Sequence, residues 1–318
     1  METRERLRSL SQLPRTRHIF LPCGTLIVRG DLDCCAIALG DLEGEVARGP
    51  DEILGTVSIS SGERCERSVS ADHLELLIDW RLAPAMVRIG LQQELIRFAS
   101  QRAMSLGWSL VHGSAMCYGE TNCALAVVDG DGVLGKTSLS VELALRSGRY
   151  LGDEFLFLEL ASNLLHRAAQ PIHVRSDTRN HLALEHDIYL PPAAELYRPD
   201  DLGLMPTDGG ALVSAFCLIV PGARPSVERL SVDSATEELT VALGAHGAKF
   251  SSPILDRASL WHTESVRSVS SDEIIRALPD REEVIRAAQQ LARSVPTIRI
   301  IAPSPHDAAE ALWRTISE

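Results

Sequence analysis

Aromatic side chains are scarce in this sequence, at 4% of 318 residues, which argues against a surface that stacks the bases of a single strand. Net positive charge is missing too. The formal charge is −12, so no overall basic field exists to hold a phosphate backbone. The seven cysteines, at 23, 34, 35, 65, 117, 123 and 217, form no C-x-x-C pair. Neither a zinc site nor a disulfide framework is suggested, and the adjacent Cys34 and Cys35 read as small hydrophobes. No apolar run reaches the length of a membrane span, and the segment 19–28 is broken by Pro22 and Gly24 without a cleavage site. There is no internal repeat, low-complexity tract or domain-breaking linker. These absences lead us to expect a folded protein of the reducing cytoplasm, with no nucleic-acid or membrane partner.

What is present reads as α/β. Residues 1–17 are basic and polar, and 18–69 carry short β-like runs (HIFLP, TLIVRG, CCAIALG, EILGTVSIS) separated by Gly, Pro and Asp. A helix is expected after Ser70, with Leu74, Leu77 and Trp80 on one face, ending before Pro84. Residues 86–106 form the longest helical pattern, with Leu91, Leu95, Phe98, Ala99, Ala103 and Leu106 as its buried stripe and Gly107 as its stop. Strands are expected near 109–111, 114–118, 123–128 and 215–220. Helices are expected over 137–147 (stopped by Gly148), 272–278 and 281–294, then a strand over 297–301 and a helix over 307–317 after Ser304-Pro305. Residues 161–210 read as long loops. A β-rich and helical portion, 1–107, with a role in substrate selection, would precede an α/β domain over 108–318.

Between the strand 123–128 and its following helix lies Gly130-Asp-Gly-Val-Leu-Gly-Lys-Thr137, a complete GxxxxGK[ST] phosphate loop. With glycine at about 7% of residues, its four fixed positions arise by chance in about one chain in a hundred of this length. Gly130, Gly132 and Gly135 let backbone N–H groups turn inward around a polyphosphate. The helix start adds unpaired N–H groups and the positive end of its dipole. Lys136 would reach the β and γ phosphates, and the Thr137 hydroxyl would complete a bound Mg²⁺. Gly130, Asp131, Gly132, Gly135, Lys136, Thr137 and Ser138 are thus the expected nucleotide-binding set.

Shortly beyond the helix come Asp153 and Glu154, expected at a strand end after Tyr150-Leu-Gly. Paired carboxylates there can divide two tasks, one holding Mg²⁺ and the other orienting or deprotonating an attacking hydroxyl. Upstream, His112 precedes Gly113-Ser114-Ala115.

In order and spacing these segments resemble the catalytic domain of the bacterial HPr kinase/phosphorylase family. They read Leu110-Val-His-Gly-Ser-Ala115, then Val128-Asp-Gly-Asp-Gly-Val-Leu-Gly-Lys-Thr-Ser138, then Ser147-Gly-Arg-Tyr-Leu-Gly-Asp-Glu-Phe155. The likeness covers about residues 108–160 and is nearest to HPr-kinase-related proteins of biosynthetic clusters, including lasso-peptide tailoring kinases. It implies a phosphoenolpyruvate-carboxykinase-like P-loop core, with Asp153 as general base, Glu154 and Thr137 near Mg²⁺, and His112 close to the reacting phosphate. The family forms hexamers, so the resemblance leaves a homo-oligomer open.

The chain departs from that family at two places. Val133 stands where HPr kinases carry glycine, and it requires a negative φ there. The downstream Glu-[IV]-Arg-Gly signature tied to phosphorylase activity is replaced by Pro171-Ile-His-Val-Arg-Ser-Asp-Thr-Arg-Asn180, so neither the phosphorylase reaction nor HPr as substrate is expected. His173, Arg175 and Arg179 are further candidates in the loop-rich stretch, where an arginine could neutralise transferring charge, while Arg224, before Pro225, reads as an ordinary surface residue with nucleotide contact as the alternative. His181 and His186, five apart, do not share a helix face, so no zinc site is expected from them. The expectation is an ATP- and Mg²⁺-dependent kinase acting on a hydroxyl, that of a serine in a peptide or protein. The rivals are a kinase of a small-molecule hydroxyl, and a non-catalytic nucleotide-binding regulator, which Val133 favours.

Overall fold

The structure is a computed structural model that describes residues 15–30, 52–63, 65–79, 84–118, 122–128, 135–147, 149–167, 172–174, 176–191, 196–207, 209–248 and 281–317. The runs expected at 34–40 and 272–278, together with Gly148, lie outside these residues. The described chain is mixed α/β and divides into two compact units, residues 15–106 and 107–317.

The first unit is a five-stranded sheet with one helix. Its elements are β1 (Arg15–Leu21), β2 (Gly24–Gly30), β3 (Ile53–Gly62), β4 (Glu66–Val69), β5 (His73–Asp79) and α1 (Pro84–Ser105). The strand order is β1-β2-β3-β5-β4, antiparallel at both edges and parallel in the middle. The helix expected after Ser70 is instead β5. Leu74, Leu76 and Ile78 are buried while Glu75 is exposed, a two-residue alternation that only a strand satisfies. Leucines at 74 and 77 also match helical spacing, which is why the pattern misleads. Helix α1 buries Leu91, Leu95, Phe98, Ala99 and Ala103 as expected, and Gly107 (φ +79°) follows it in the left-handed region. A side chain on Gly55 would stand 2.7 Å from the Phe98 ring, so glycine there lets α1 lie close against β3.

The second unit carries β6 (Trp108–Tyr118), β7 (Cys123–Val128), α2 (Lys136–Ser147), β8 (Arg149–Glu159) and β9 (Leu164–Arg167). Next come β10 (Ile172–His173), α3 (Ser176–His186), β11 (Leu196–Tyr197), a 3-10 turn (Pro199–Leu202) and β12 (Met205–Pro206). The unit finishes with β13 (Ala211–Pro221), β14 (Ser226–Arg229), α4 (Val232–Ala248), α5 (Arg281–Ser294), β15 (Thr297–Ala302) and α6 (Pro305–Ser317). Its main sheet runs β12-β8-β6-β7-β13-β15-β14. Strand β9 pairs antiparallel with both β8 and β13, closing a circuit of pairing through β6 and β7.

The two strands expected at 109–111 and 114–118 are one, β6, buried from Ser109 to Cys117. Gly113 does not break it; a side chain there would stand 2.6 Å from the Val127 carbonyl oxygen, so glycine lets β7 approach. The stretch 161–210 is not simply loop, since it holds α3 and four short strands. Helix α4 went unforeseen, although Ser231 caps it by accepting from the Ser234 N–H at 3.2 Å. In the same way Ser304 accepts from the Asp307 N–H at 3.1 Å to start α6. A hydrophobic core packs Leu139, Leu143 and Ala144 of α2 with Val127 of β7, Cys217 of β13, Ile300 of β15 and Leu312 of α6. Among the described residues no helix is long and apolar enough to cross a membrane.

Candidate functional site

The middle of the phosphate loop, with Gly130, Asp131, Gly132 and Val133, lies outside the described residues. Its two ends are defined. Strand β7 stops at Val128 and α2 opens at Lys136, the strand–loop–helix order the motif needs. Gly135 has φ +32° and accepts the first helical hydrogen bond, from the Leu139 N–H at 2.7 Å. A side chain at 135 would come within 2.6 Å of Pro305 Cγ, so the loop's last glycine is fitted against the first turn of α6. Lys136 is half-buried at the start of α2.

One turn into the site, the Thr137 hydroxyl donates to Asp153, 3.0 Å from Oδ1 and 3.2 Å from Oδ2. Asp153 is 2% exposed. Asp153 and Glu154 sit within β8. The register with β6 places them: Asp153 lies opposite Ser114, Glu154 opposite Gly113 and Phe155 opposite His112. Directly paired residues and those two apart share a sheet face, so His112, Ser114 and Asp153 occupy one face. His112 is 4% exposed. Ser114, not foreseen as part of the site, has its hydroxyl 3.0 Å from that of Tyr150 and donates to the Gly152 carbonyl at 3.3 Å. The Glu154 side chain lies outside the described residues.

Ser138 is buried, its hydroxyl 2.6 Å from that of Thr178. That contact brings the first turn of α3 against the first turn of α2, and Arg179 is the residue next to Thr178. The side chains of His173 and Arg175 lie outside the described residues, while Arg224 is exposed in the turn between β13 and β14.

Further along α2, His181 and His186 of α3 meet one carboxylate. Both rings reach Glu142, a fully buried carboxylate of α2 that the sequence did not single out. His181 Nε2 lies 2.6 Å from Oε1 and His186 Nε2 2.9 Å from Oε2. His306, in the first turn of α6, adds Nδ1 at 3.4 Å from Oε2. Helical spacing within α3 excluded a two-histidine site, but the convergence is supplied by three different helices. Burial pushes the Glu142 carboxyl up, yet hydrogen bonds and charge from His186 and His181 outweigh it, and the net shift is downward.

No family model matches the chain, and no curated protein does. Thr137 and Asp153 present a hydroxyl and a carboxylate oxygen within hydrogen-bond distance, beside Lys136 and the opening of α2. Oxygen donors of that kind suit a hard cation and its phosphate partners.

Proposed function

We propose that this protein is an ATP-dependent kinase built on a phosphoenolpyruvate-carboxykinase-like P-loop core, and that it phosphorylates a hydroxyl. The acceptor favoured by the resemblance to HPr-kinase-related proteins is a serine of a peptide or protein. The observation that carries the reading is the Thr137–Asp153 hydrogen bond. It ties the loop helix to the strand that bears the acidic pair, so the last motif residue and a buried carboxylate face one point.

In this reading the loop N–H groups, the α2 N-terminus and Lys136 bind the phosphates. Thr137 and Glu154 would hold Mg²⁺, which when bound would neutralise charge on the transferring group. Asp153 takes the proton of the acceptor hydroxyl as its oxygen bonds to the γ-phosphorus and the bond to ADP breaks. Nearly complete burial keeps that carboxylate out of bulk water. His112 and Ser114, on the same face, complete a polar floor beneath the reacting phosphate.

Transfer of label from radioactive ATP to candidate peptides and small hydroxyl compounds, for wild type and Asp153→Asn, tests this. Loss of a general base should lower turnover by at least about 100-fold while ATP remains bound. Unchanged turnover in Asp153→Asn would remove the base assignment. Tight ATP binding with no phosphorylated acceptor in the wild type would leave the regulator reading. Retained Mg·ATP affinity in Lys136→Ala would overturn the placement of the phosphates.

A further inference from the structure

Glu142 is an unusual place for a carboxylate. It lies in α2 between Val141 and Leu143, both fully buried, and is itself at 0% exposure. A carboxylate so placed needs compensation, and Lys or Arg is the usual source. Here three imidazoles among the described residues are its partners. Balancing one carboxylate calls for a single cation, whereas three imidazoles gather here and crowd one another: the His181 ring is 5.3 Å from that of His306 and 6.4 Å from that of His186.

Neutral imidazoles around one carboxylate are, by contrast, a normal donor set for a transition-metal ion. One ligand atom from each of Glu142, His181 and His306 lies within 4.8 Å of the others. A tetrahedral sphere with bonds of about 2.0–2.1 Å separates its ligands by about 3.3 Å. Reaching that spacing asks movement of the imidazoles, which are partly exposed. The histidine side chains are 31%, 23% and 33% exposed for His181, His186 and His306, against 1% for Glu142. The carboxylate is thus the fixed element, and solvent reaches the site through the imidazoles. Asp187, with φ +54°, turns the chain directly after His186 at the end of α3.

We infer that Glu142, His181 and His306 form a binding site for a divalent transition-metal ion of the zinc class, with His186 orienting the Glu142 carboxylate. Three protein ligands leave a fourth position for water. The site pins the middle of α2 to the last turns of α3 and the first turn of α6, holding the helix that opens at Lys136. It is separate from the Thr137–Asp153 pair and does not depend on the kinase reading.

The test uses the full-length protein, stripped with a chelator and titrated with Zn²⁺ against a competing indicator in the absence of nucleotide. One ion per chain should bind with a dissociation constant below about 1 μM, and saturation should raise the thermal midpoint. His181→Gln and His306→Gln should each weaken binding by at least about 100-fold, and His186→Gln, as an orienting change, by about 10- to 100-fold. His73→Gln, outside the cluster, should leave affinity unchanged. Equal Zn²⁺ affinity in the cluster variants and wild type, or no saturable binding in wild type, overturns the site. Circular dichroism checks that each variant folds, and Co²⁺ added to wild type decides the matter if one does not. A four-coordinate nitrogen–oxygen absorption spectrum supports the assignment; a thiolate charge-transfer band or the spectrum of the aqueous ion overturns it.

Discussion

Pro305 occupies the space that a side chain on Gly135 would need, with its Cγ 2.6 Å from the position of such a Cβ. The end of the phosphate loop and the start of α6 are therefore fitted to one another. Gly135→Ala suffers twice, from this clash and from φ +32°. It should lower stability by about 1–3 kcal/mol and weaken nucleotide binding. Adding Pro305→Ala should recover part of the loss but not all, because the backbone strain stays. Urea unfolding of the single and double variants measures both parts.

Gly113→Ala separates two opposing effects in β6. Replacing a strand glycine gains about 0.5–1 kcal/mol of chain entropy. The new methyl, however, would stand 2.6 Å from the Val127 carbonyl oxygen, and forcing two central strands apart costs about 1–3 kcal/mol. Net destabilisation is expected, seen as a lower urea midpoint at unchanged slope. A midpoint at or above that of wild type would mean that β6 and β7 are less closely apposed.

How much of this was legible depended on whether the signal was local. Spacing alone places Leu139, Leu143 and Ala144 inward, although α2 is in fact buried on every side from Ser138 to Ala144. Strand 123–128 is bounded by its continuous apolar run and helix 281–294 by its apolar stripe, both local signals. Strand β5 was not, since leucines at 74 and 77 fit both periods and only the burial of Leu76 and Ile78 separates them. Helix α4 lacked a clean stripe, and its capping Ser231 was overlooked. The Glu142 cluster was out of reach in a different way. His306 is far along the chain from His181, and only the fold brings them to one carboxylate. The clue in the sequence was Glu142 itself, a charge beside an inward-facing leucine stripe.

His166 should give acid sensitivity with a traceable origin. Burial pulls its pKa down, with the Glu159 charge opposing, and its buried Nε2 has no hydrogen-bond partner among the described residues. The ring packs 5.2 Å from that of Trp108. The native state therefore favours the neutral ring. Its contribution to stability is present above the ordinary histidine range and is lost as pH falls through the lowered native value. Stability curves from pH 8 to 5 should fall less steeply for His166→Phe than for wild type. Parallel curves would remove His166 as the cause.

Cys23 and Cys217 make the reverse case at alkaline pH. Burial pushes both thiols up to about 12, so in the native protein almost none of either is thiolate at pH 8. Iodoacetamide should label the half-buried Cys65 and Cys123 at least about 100-fold faster than these two, read by peptide mass spectrometry. Because the native pKa values are raised, their stabilisation holds below the ordinary thiol range and is lost as pH climbs from about 9 towards 12. Cys217→Ala should soften that alkaline decline.

The pairing of β9 with both β8 and β13 has a consequence in time as well as in space. Closing that circuit requires Leu164 and Leu165 to meet Leu212 and Ala211, and β13 to meet β7 in parallel register. Neither pairing can form as a local hairpin. Each must wait for a long stretch of chain to be brought back, so the ring is complete only late in folding. Refolding of this sheet after dilution from urea should take on the order of milliseconds to seconds, as stopped-flow tryptophan fluorescence from Trp108 can show. Leu165→Ala, which truncates the buried side chain paired with Ala211, should speed unfolding far more than it slows refolding.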